Sequence, residues 1–464
     1  MLVEEDRKLI DRTSKSLKNF SRSGLMRSMG VIDWEPRGKV CDVVGTVIEA
    51  FLPGIQIGTI VAISAPVHDG QILAEVAGFR NDRVLLIPFS SVSGISPGAA
   101  VSGMRIMSQI NVGNHLLGRV IDPMMNPLFG GSLDNKGLFG EVPLEREAPN
   151  PMTRKRVETP FSLGIRAIDG LLTFGEGQRI GIMAGSGVGK SVMMGMIAKS
   201  SDADINVIGL IGERGREVRE FIERDLGPEG LSRSVVVVVT GDQSPLLKIR
   251  AAKVVTAIAE YFSSQDKKVL LMMDSLTRVA MAQREIGLAV GEPPTTKGYP
   301  PSVFSLLPKL LERCGPQAVG SISGLYTVLV DGDDFNEPIA DAARGILDGH
   351  VVLSRNLAAR NHFPAIEMTQ SSSRVMHDII DQEHWKLAGH LKSMLGIYQE
   401  NYDYIQIGSY QPGSNPLLDE AIRLMPKIEK FLKQDRQEVS SYESTMNHLN
   451  AIVSAQNRFE PDVG

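Results

Sequence analysis

The sequence is poor in cysteine and holds no long apolar run. Its 464 residues include two cysteines, Cys41 and Cys314, which form no CxxC pair. A disulfide framework or a structural zinc site is therefore not expected, and a reducing cytoplasm fits this usage. No apolar run approaches the roughly 20 residues that cross a bilayer, and residues 1–12 are too polar for a secretory signal. The sequence predicts a cytoplasmic protein that is recruited to any membrane at which it works.

The sequence also lacks an excess of positive charge and is poor in aromatic residues. The formal net charge is -5, and aromatic residues make up 5% of the chain. Proteins that bind nucleic acid through its phosphates are usually basic, and those that bind single strands stack the bases on aromatic side chains. We therefore expect no nucleic-acid partner. The length exceeds what one compact core usually holds and predicts two or three domains.

The N-terminal part of the chain shows two patterns. Residues 1–37 form a polar arm with apolar residues at helical spacing, which is typical either of a frayed terminus or of an amphipathic helix that docks on a partner. Residues 38–106 hold short β-branched runs separated by turn residues, which predicts a small antiparallel β-barrel. The strands predicted there are 43–48, 55–63, 72–76 and 84–87.

The rest of the chain predicts an α/β domain followed by helices. In residues 107–372, apolar runs alternate with helical patterns, which indicates a parallel sheet covered on both faces. The strands predicted in this part are 179–183, 206–211, 234–240, 269–273, 321–330 and 351–354. Residues 373–464 hold no strand pattern and predict a helical domain.

A phosphate-binding loop is the most specific local motif. It follows the predicted strand 179–183 and opens a predicted helix, 192–199, which is the context that the motif requires. The loop amides are expected to surround phosphate oxygens, while the lysine reaches the β- and γ-phosphates and the last hydroxyl ligates magnesium. The residues predicted to bind ATP and Mg²⁺ are Ala184, which replaces the usual first glycine, Gly185, Ser186, Gly187, Val188, Gly189, Lys190 and Ser191.

Four other positions are candidates for the same site. Asp274 ends an apolar strand, where a carboxylate beside a phosphate-binding loop holds the magnesium shell. Glu213 ends another strand and is either the base that polarises the attacking water or part of a solvated charge cluster. Arg374 is either a surface arginine or a finger that reaches a neighbouring subunit's γ-phosphate. Phe363 either stacks on adenine or simply packs in front of a proline.

Eight further motifs follow one another along the chain, at 164–170, 175–178, 209–217, 273–278, 281–285, 291–294, 297–302 and 345–350. Together with the phosphate-binding loop they resemble the catalytic subunits of rotary ATP synthases, and most closely the flagellar protein export ATPases of the type III secretion family. The resemblance runs from about residue 38 to at least residue 430. It implies a RecA-like P-loop NTPase core with an N-terminal antiparallel β-barrel and a C-terminal helical domain, assembled as a homohexameric ring.

The resemblance also implies residue roles. By motif, Glu213 matches the catalytic glutamate of the family and Arg214 its neighbouring arginine. Asp274 matches the Walker B aspartate, Phe363 the aromatic residue that stacks on adenine, and Arg374 the arginine finger.

Partners are implied by the resemblance alone. Residues 1–37 match the arm that binds a regulator of the export apparatus. The family also works with export chaperone–cargo complexes and associates peripherally with the export gate at the inner face of the cell membrane.

Several functions stay open at the level of sequence. The favoured one is ATP hydrolysis for flagellar protein export, and the alternative is the ATPase of a virulence type III secretion system. An ATP synthase subunit is disfavoured because Lys190, Glu213 and Arg374 lie in one chain, so that a homo-oligomer could supply every part of the site. A Rho-like RNA translocase is disfavoured by the acidic charge, and an inert nucleotide-binding ring subunit by the presence of Glu213.

Overall fold

The computed structural model describes residues 36–65, 70–104, 108–129, 131, 139–330 and 334–454. Most of the predicted N-terminal arm, and residues 331–333 of an acidic loop, lie outside these ranges. The described residues fall into two compact units. Those up to residue 106, apart from Phe89–Ser91, make the first unit, and Phe89–Ser91 with the remainder of the chain make the second.

The first unit is a closed antiparallel barrel, as the sequence predicts. Its six described strands close in the order β1-β2-β5-β4-β3-β6. Apolar side chains that alternate along the strands, such as Val40, Ile48 and Val61, fill the interior. The strands are β1 (Arg37–Val44), β2 (Val47–Phe51), β3 (Ile60–Ala65), β4 (Gly70–Arg80), β5 (Arg83–Pro88) and β6 (Ala100–Gly103).

Two predicted barrel strands are wrong in extent. The run 43–48 is a hairpin rather than one strand, because Gly45 adopts a φ of 61° and the chain turns between β1 and β2. The run 55–63 becomes a strand only at Ile60, since Gly58 has a φ of 82° that an extended strand does not allow. The β-branched runs thus located β3, β4 and β5 but not the turns at Gly45 and Gly58, and β6 has no counterpart among the predicted strands.

The second unit contains a ten-stranded sheet, counted over the described residues. Its order is β18-β17-β11-β16-β14-β12-β13-β8-β9, with β15 paired to β16, and the strands from β17 to β8 are parallel. This confirms the predicted parallel sheet. The strands of the unit are β7 (Gln109–Gly113), β8 (Arg119–Ile121), β9 (Pro127–Phe129), β10 (Phe139–Pro143), β11 (Arg179–Ala184), β12 (Ile205–Glu213), β13 (Ser234–Thr240), β14 (Lys268–Asp274), β15 (Gly315–Pro316), β16 (Ser321–Leu329), β17 (Gly349–Leu353) and β18 (Ser372–Ser373).

Helices cover the sheet and form the C-terminal region. The longest, α5, begins where the Ser244 hydroxyl accepts a hydrogen bond from the Leu247 amide, with Pro245 in the first turn. A π-helical turn, Phe221–Leu226, joins α3 to α4. The helices are α1 (Arg166–Leu171), α2 (Lys190–Ser200), α3 (Gly215–Glu220), α4 (Gly227–Ser232), α5 (Pro245–Ser264), α6 (Leu276–Val290), α7 (Pro301–Leu311), α8 (Pro338–Ile346), α9 (Arg355–Ala359), α10 (Met376–Ile379), α11 (Gln382–Glu400), α12 (Tyr402–Gln406), α13 (Pro416–Leu432) and α14 (Tyr442–Ser454).

One apolar core joins the sheet to the C-terminal helices. Ile182 of β11, Met193 of α2 and Phe431 of α13 belong to the same buried cluster. The close approach depends on Gly170, where an added Cβ would lie 2.8 Å from the Phe431 ring. Among the described residues, no helix combines the length and the apolar character that a membrane span needs.

Candidate nucleotide-binding site

The phosphate-binding loop lies at the carboxyl edge of the parallel sheet. It starts where β11 ends, at Ala184, and α2 begins at Lys190, two residues before the predicted start. Gly187 and Gly189 have φ values of 78° and 84°, which other residues rarely adopt. Because α2 starts directly after the loop, the positive end of its dipole adds to the loop amides at a site suited to anions.

Three side chains meet at this loop: Lys190 and Glu213, which were predicted for catalysis, and Asp274, which was predicted as a magnesium ligand. The Lys190 Nζ lies 2.5 Å from Asp274 Oδ1 and 3.5 Å from Glu213 Oε1. The exposed fractions of the side chains are 11% for Lys190, 4% for Asp274 and 17% for Glu213. The structure therefore brings together a lysine and two carboxylates from distant parts of the sequence in a largely buried cluster.

The sheet positions both carboxylates. β12 and β14 are neighbours, and Leu210 pairs with Asp274 at the end of β14. Just beyond it, β12 slips its register between Ile211 and Glu213, a bulge-like irregularity that re-aims the following side chain. Asp274 is fixed further by the Thr327 hydroxyl, which donates to its Oδ1 over 2.6 Å.

The cluster shifts the protonation of its members. Burial, reinforced by the charge of Asp274, raises the pKa of Glu213 to about 7. Burial alone would lower the pKa of Lys190, but the carboxylates of Asp274 and Glu213 raise it above its ordinary value. Glu213 thus exchanges a proton near neutral pH, while Lys190 stays cationic.

The donor set fits a magnesium ion that is held mainly by phosphates. Ser191, the second residue of α2, offers a hydroxyl, and Asp274 offers a buried carboxylate. Within the described residues, no group of three or more His, Cys, Asp or Glu side chains forms a metal cage. Magnesium is usually bound by one or two protein oxygens together with substrate phosphates and water, so this sparse set of oxygen ligands suits it.

A cavity of about 550 Å³ opens beside the loop and contains Phe363. The Phe363 ring is 39% exposed, and a Cβ added to Gly189 would lie 3.2 Å from two of its carbons. Val192 and Met196 of α2 line the cavity, as do residues 433–436. The aromatic ring, the apolar lining and the adjacent loop suit a planar base attached to phosphates.

Arg374 lies at the opposite end of the parallel strands, the amino end, where β17 begins. β18 is antiparallel to β17, with Ser373 opposite Gly349, and the Arg374 amide donates to the Asp348 carbonyl. Since β17 runs parallel to β11, the phosphate-binding loop is at the other end of β17, about 13 Å away along the strand. The structure therefore does not bring Arg374 to the loop of its own chain, and the Arg374 Nη2 instead donates to the Arg344 carbonyl over 2.9 Å.

Arg214 also points away from the cluster. Its side chain is 86% exposed and lies 3.4 Å from Glu217, one turn along α3. The role that the resemblance implies for it stays a prediction.

Two arginines near the loop were missed by the sequence reasoning. Arg278 packs on the bulge before Glu213, where a Cβ on Gly212 would lie 2.8 Å from its Cγ, and its buried Nε has no hydrogen-bond partner among the described residues. Arg355 covers the loop itself, since a Cβ on Gly185 would lie 2.6 Å from its Nη2. Their positions in the sequence could have identified them, because Arg278 closely follows the end of β14 and Arg355 closely follows the end of β17.

Comparison with known families places each part of the chain. The ATP synthase alpha/beta family, nucleotide-binding domain, matches residues 164–373. The beta-barrel domain of that family matches residues 40–104, and the T3SS EscN ATPase C-terminal domain matches residues 380–451.

Individual relatives agree over nearly the whole length. The flagellum-specific ATP synthase of Bacillus subtilis is 52% identical over 417 residues, which cover 90% of this chain and 95% of the relative. The type 3 secretion system ATPase of Sinorhizobium fredii is 48% identical, with coverage of 90% and 92%. Among solved structures, the assembled ATPase EscN of the enteropathogenic E. coli type III secretion system superposes with a TM-score of 0.82 at 47% identity, covering 90% of this chain and all of that one.

These matches confirm the resemblance that the motifs predict. The chain belongs to the family of flagellum-specific and type III secretion ATPases and is an ATP-hydrolysing enzyme.

Proposed function

We propose that this chain hydrolyses ATP in a homohexameric ring that energises flagellar protein export through a type III secretion apparatus. The observation that carries the chemistry is the contact of Lys190 with Asp274 and Glu213 beside the phosphate-binding loop. A lysine, an aspartate and a glutamate in this arrangement supply what phosphoryl transfer to water needs: phosphate binding, a metal ligand and a base.

Binding uses the loop and the cavity together. The loop amides and Lys190 hold the β- and γ-phosphates, and the base enters the cavity against Phe363. Bound magnesium, held by Ser191 and Asp274, would neutralise charge on the β- and γ-phosphate oxygens. Arg278 brings a second cation to this region, with its Nε buried and unpartnered within the described residues.

Hydrolysis proceeds with Glu213 as the base. Its carboxylate accepts a proton from water, and the water oxygen forms a bond to the γ-phosphorus as the bond from that phosphorus to the β,γ-bridging oxygen breaks. The products are ADP and inorganic phosphate. Because the pKa of Glu213 is raised to about 7, the side chain can return this proton to solvent near neutral pH.

The position of Arg374 supports a site shared between subunits. It lies at the amino edge of the sheet, away from the loop of its own chain. In a ring, Arg374 of one subunit reaches the γ-phosphate held by the next and stabilises the charge of the transition state. Arg214 acts on the same site after it exchanges its exposed contact with Glu217.

We infer the assembly and the partners of this chain from those of its relatives. EscN has been solved as an assembled ATPase and in complex with its central stalk EscO. We propose that this chain assembles as a homohexamer, with a regulator of the export apparatus bound through residues 1–37. Chaperone–cargo complexes and a membrane export gate are the further partners, and they place the ring in the cytoplasm at the inner face of the membrane.

One experiment tests the chemistry and another tests the biological setting. Phosphate release from the purified wild-type protein, compared with Glu213→Gln, must show Mg²⁺-dependent hydrolysis in the wild type alone; addition of RNA should not stimulate it.

The setting is tested by capture of the tagged chain from its own cells. Recovery of rod, hook and flagellar chaperone proteins supports flagellar export. Recovery of needle-complex proteins would establish the virulence alternative, which similar identities to type 3 secretion system ATPases keep open.

A further inference from the structure

One wall of the base cavity is a short segment that follows α13, Lys433–Arg436. Gln434, in the middle of this segment, is 5% exposed. We propose that Gln434, held in place by Arg166, is a positioning residue that fixes this wall against Phe363 and thereby sets the affinity for the base of the nucleotide. The proposal rests on the proposed function, in which this cavity takes the base.

The side-chain amide of Gln434 is fully engaged. Its Oε1 accepts a hydrogen bond from the Arg166 amide over 2.9 Å. Its Nε2 donates to the Gly164 carbonyl over 2.8 Å and to the Glu438 carbonyl over 2.9 Å. A glutamine uses one acceptor and two donors here, so an isosteric glutamate cannot replace it without placing a carboxylate oxygen against carbonyl oxygens.

The backbone of the same residue links the two walls of the cavity. The Gln434 amide donates to the Phe363 carbonyl over 2.9 Å. Phe363 therefore cannot move away from the 433–436 segment unless this bond breaks or Gln434 moves with it. The separation between the ring and the opposite wall, which a planar base must match, is set at this point.

Arg166 contacts the chain before, at the start of and after the segment, at Phe431, Lys433 and Glu438. Its side chain is buried and its Nε donates to the Phe431 carbonyl over 3.1 Å. The other two guanidinium nitrogens contact the Lys433 carbonyl and the Glu438 carboxylate. A planar group with five donors in fixed directions suits this task, because it binds three acceptors between Phe431 and Glu438 at once.

The anchor of this network is tied to the phosphate side of the site. Gly164 has a φ of 72°, and a Cβ there would lie 2.4 Å from Ser200, the last residue of α2. The buried carboxylate of Asp169 accepts hydrogen bonds from the Ser162 hydroxyl and from the Leu163 and Gly164 amides. The base wall and the helix that begins at Lys190 therefore share one support, and Gln434 connects the base wall to it.

The test separates binding of the base from binding of the phosphates. Gln434→Glu and Gln434→Ala are compared with wild type in the full chain for kcat and KM with ATP, and for the inhibition constant of inorganic tripolyphosphate, which has no base. Loss of buried hydrogen bonds at the wall is expected to raise KM for ATP about tenfold. The inhibition constant of tripolyphosphate and kcat at saturating ATP should change less than about twofold, because the loop is untouched.

Two further variants keep the outcome decisive. Gln437→Ala removes an exposed glutamine of the neighbouring turn and should leave all three quantities unchanged. Glu438→Gln weakens the partly exposed end of the Arg166 contact and changes the acceptor of the Asp435 amide. If Gln434 variants fail to fold, it should still raise KM for ATP about twofold without affecting tripolyphosphate. A parallel rise for ATP and tripolyphosphate, or a loss of kcat at unchanged KM, would overturn the proposal. A wild-type protein that does not hydrolyse ATP would refute the proposed function instead.

Discussion

The two edges of the parallel sheet carry opposite kinds of chemistry. At the carboxyl edge, the Lys190, Glu213 and Asp274 side chains meet in a largely buried cluster, and the pKa of Glu213 is raised to about 7. At the amino edge, Arg374 is exposed and its side chain donates a hydrogen bond to the Arg344 carbonyl. One chain thus holds the candidate binding site at one end of its parallel strands and a separate cationic group, Arg374, at the other.

The difference leads to a prediction about assembly. If Arg374 is the arginine finger that we propose, it cannot complete the site of its own chain, and hydrolysis should depend on assembly of the ring. Variants at each end of the strands should show that the carboxyl end binds the nucleotide and performs the chemistry, while the amino end acts on a neighbouring subunit.

Glu213→Gln is expected to have the largest effect. The amide keeps the shape of the side chain but cannot accept a proton from water, so kcat should fall about 10³- to 10⁴-fold. Nucleotide binding should persist, because Lys190 and the loop amides are unchanged. Phosphate release and fluorescent-nucleotide binding measure the two effects, with Glu223→Gln, at an exposed glutamate paired with Arg219, as the matched control. Turnover near that of wild type would place the base elsewhere.

Arg374→Ala should reduce kcat about 10³-fold in the assembled protein, since it removes the transition-state charge contact. Mixing it with Glu213→Gln chains should restore part of the activity, because an interface can then pair an intact base with an intact finger. Assembly of both variants is checked by light scattering. No recovery from mixed rings that assemble normally would show that the edges do not meet across subunits.

The pH dependence should report Glu213. Below about pH 7 its carboxyl group is increasingly protonated and cannot act as a base, so kcat/KM should fall about tenfold per pH unit below its apparent pKa and level off above it. Arg374→Ala should lower the whole profile but keep this acid limb. A profile that is flat from pH 5.5 to 8 would contradict the raised pKa.

Asp348→Asn is expected to have the smallest effect. The Asp348 carboxylate accepts three hydrogen bonds from Arg179. The backbone carbonyl of Asp348 accepts a hydrogen bond from the Arg374 amide. Loss of the charge should lower the free energy of unfolding by about 2 kcal/mol, as measured by urea denaturation, and leave KM for ATP unchanged. Asp341→Asn, in an exposed pair with Arg344, is the control and should change stability by less than about 0.5 kcal/mol. A raised KM would show that the amino edge also supports binding within its own chain.

The sequence predicted the elements around the site better than the turns between them. The strands β11, β12 and β14 were located within one or two residues because they are buried on both faces and read as uninterrupted apolar runs. The barrel strands were misjudged where Gly45 and Gly58 turn the chain, since a turn needs only one residue of unusual φ. β8 was missed because three residues at the far side of the sheet give too short a pattern.

The sequence by itself determined the phosphate-binding loop, since its glycines and lysine act through local backbone geometry that neighbouring residues specify. It also placed Glu213 and Asp274 at the ends of strands. Only the tertiary structure decided that both carboxylates contact Lys190, that Arg374 lies at the opposite edge, and that Gln434 joins the two walls of the base cavity. Those relations depend on strand order, register and packing between segments as far apart as Arg166 and Gln434, and no local pattern encodes them.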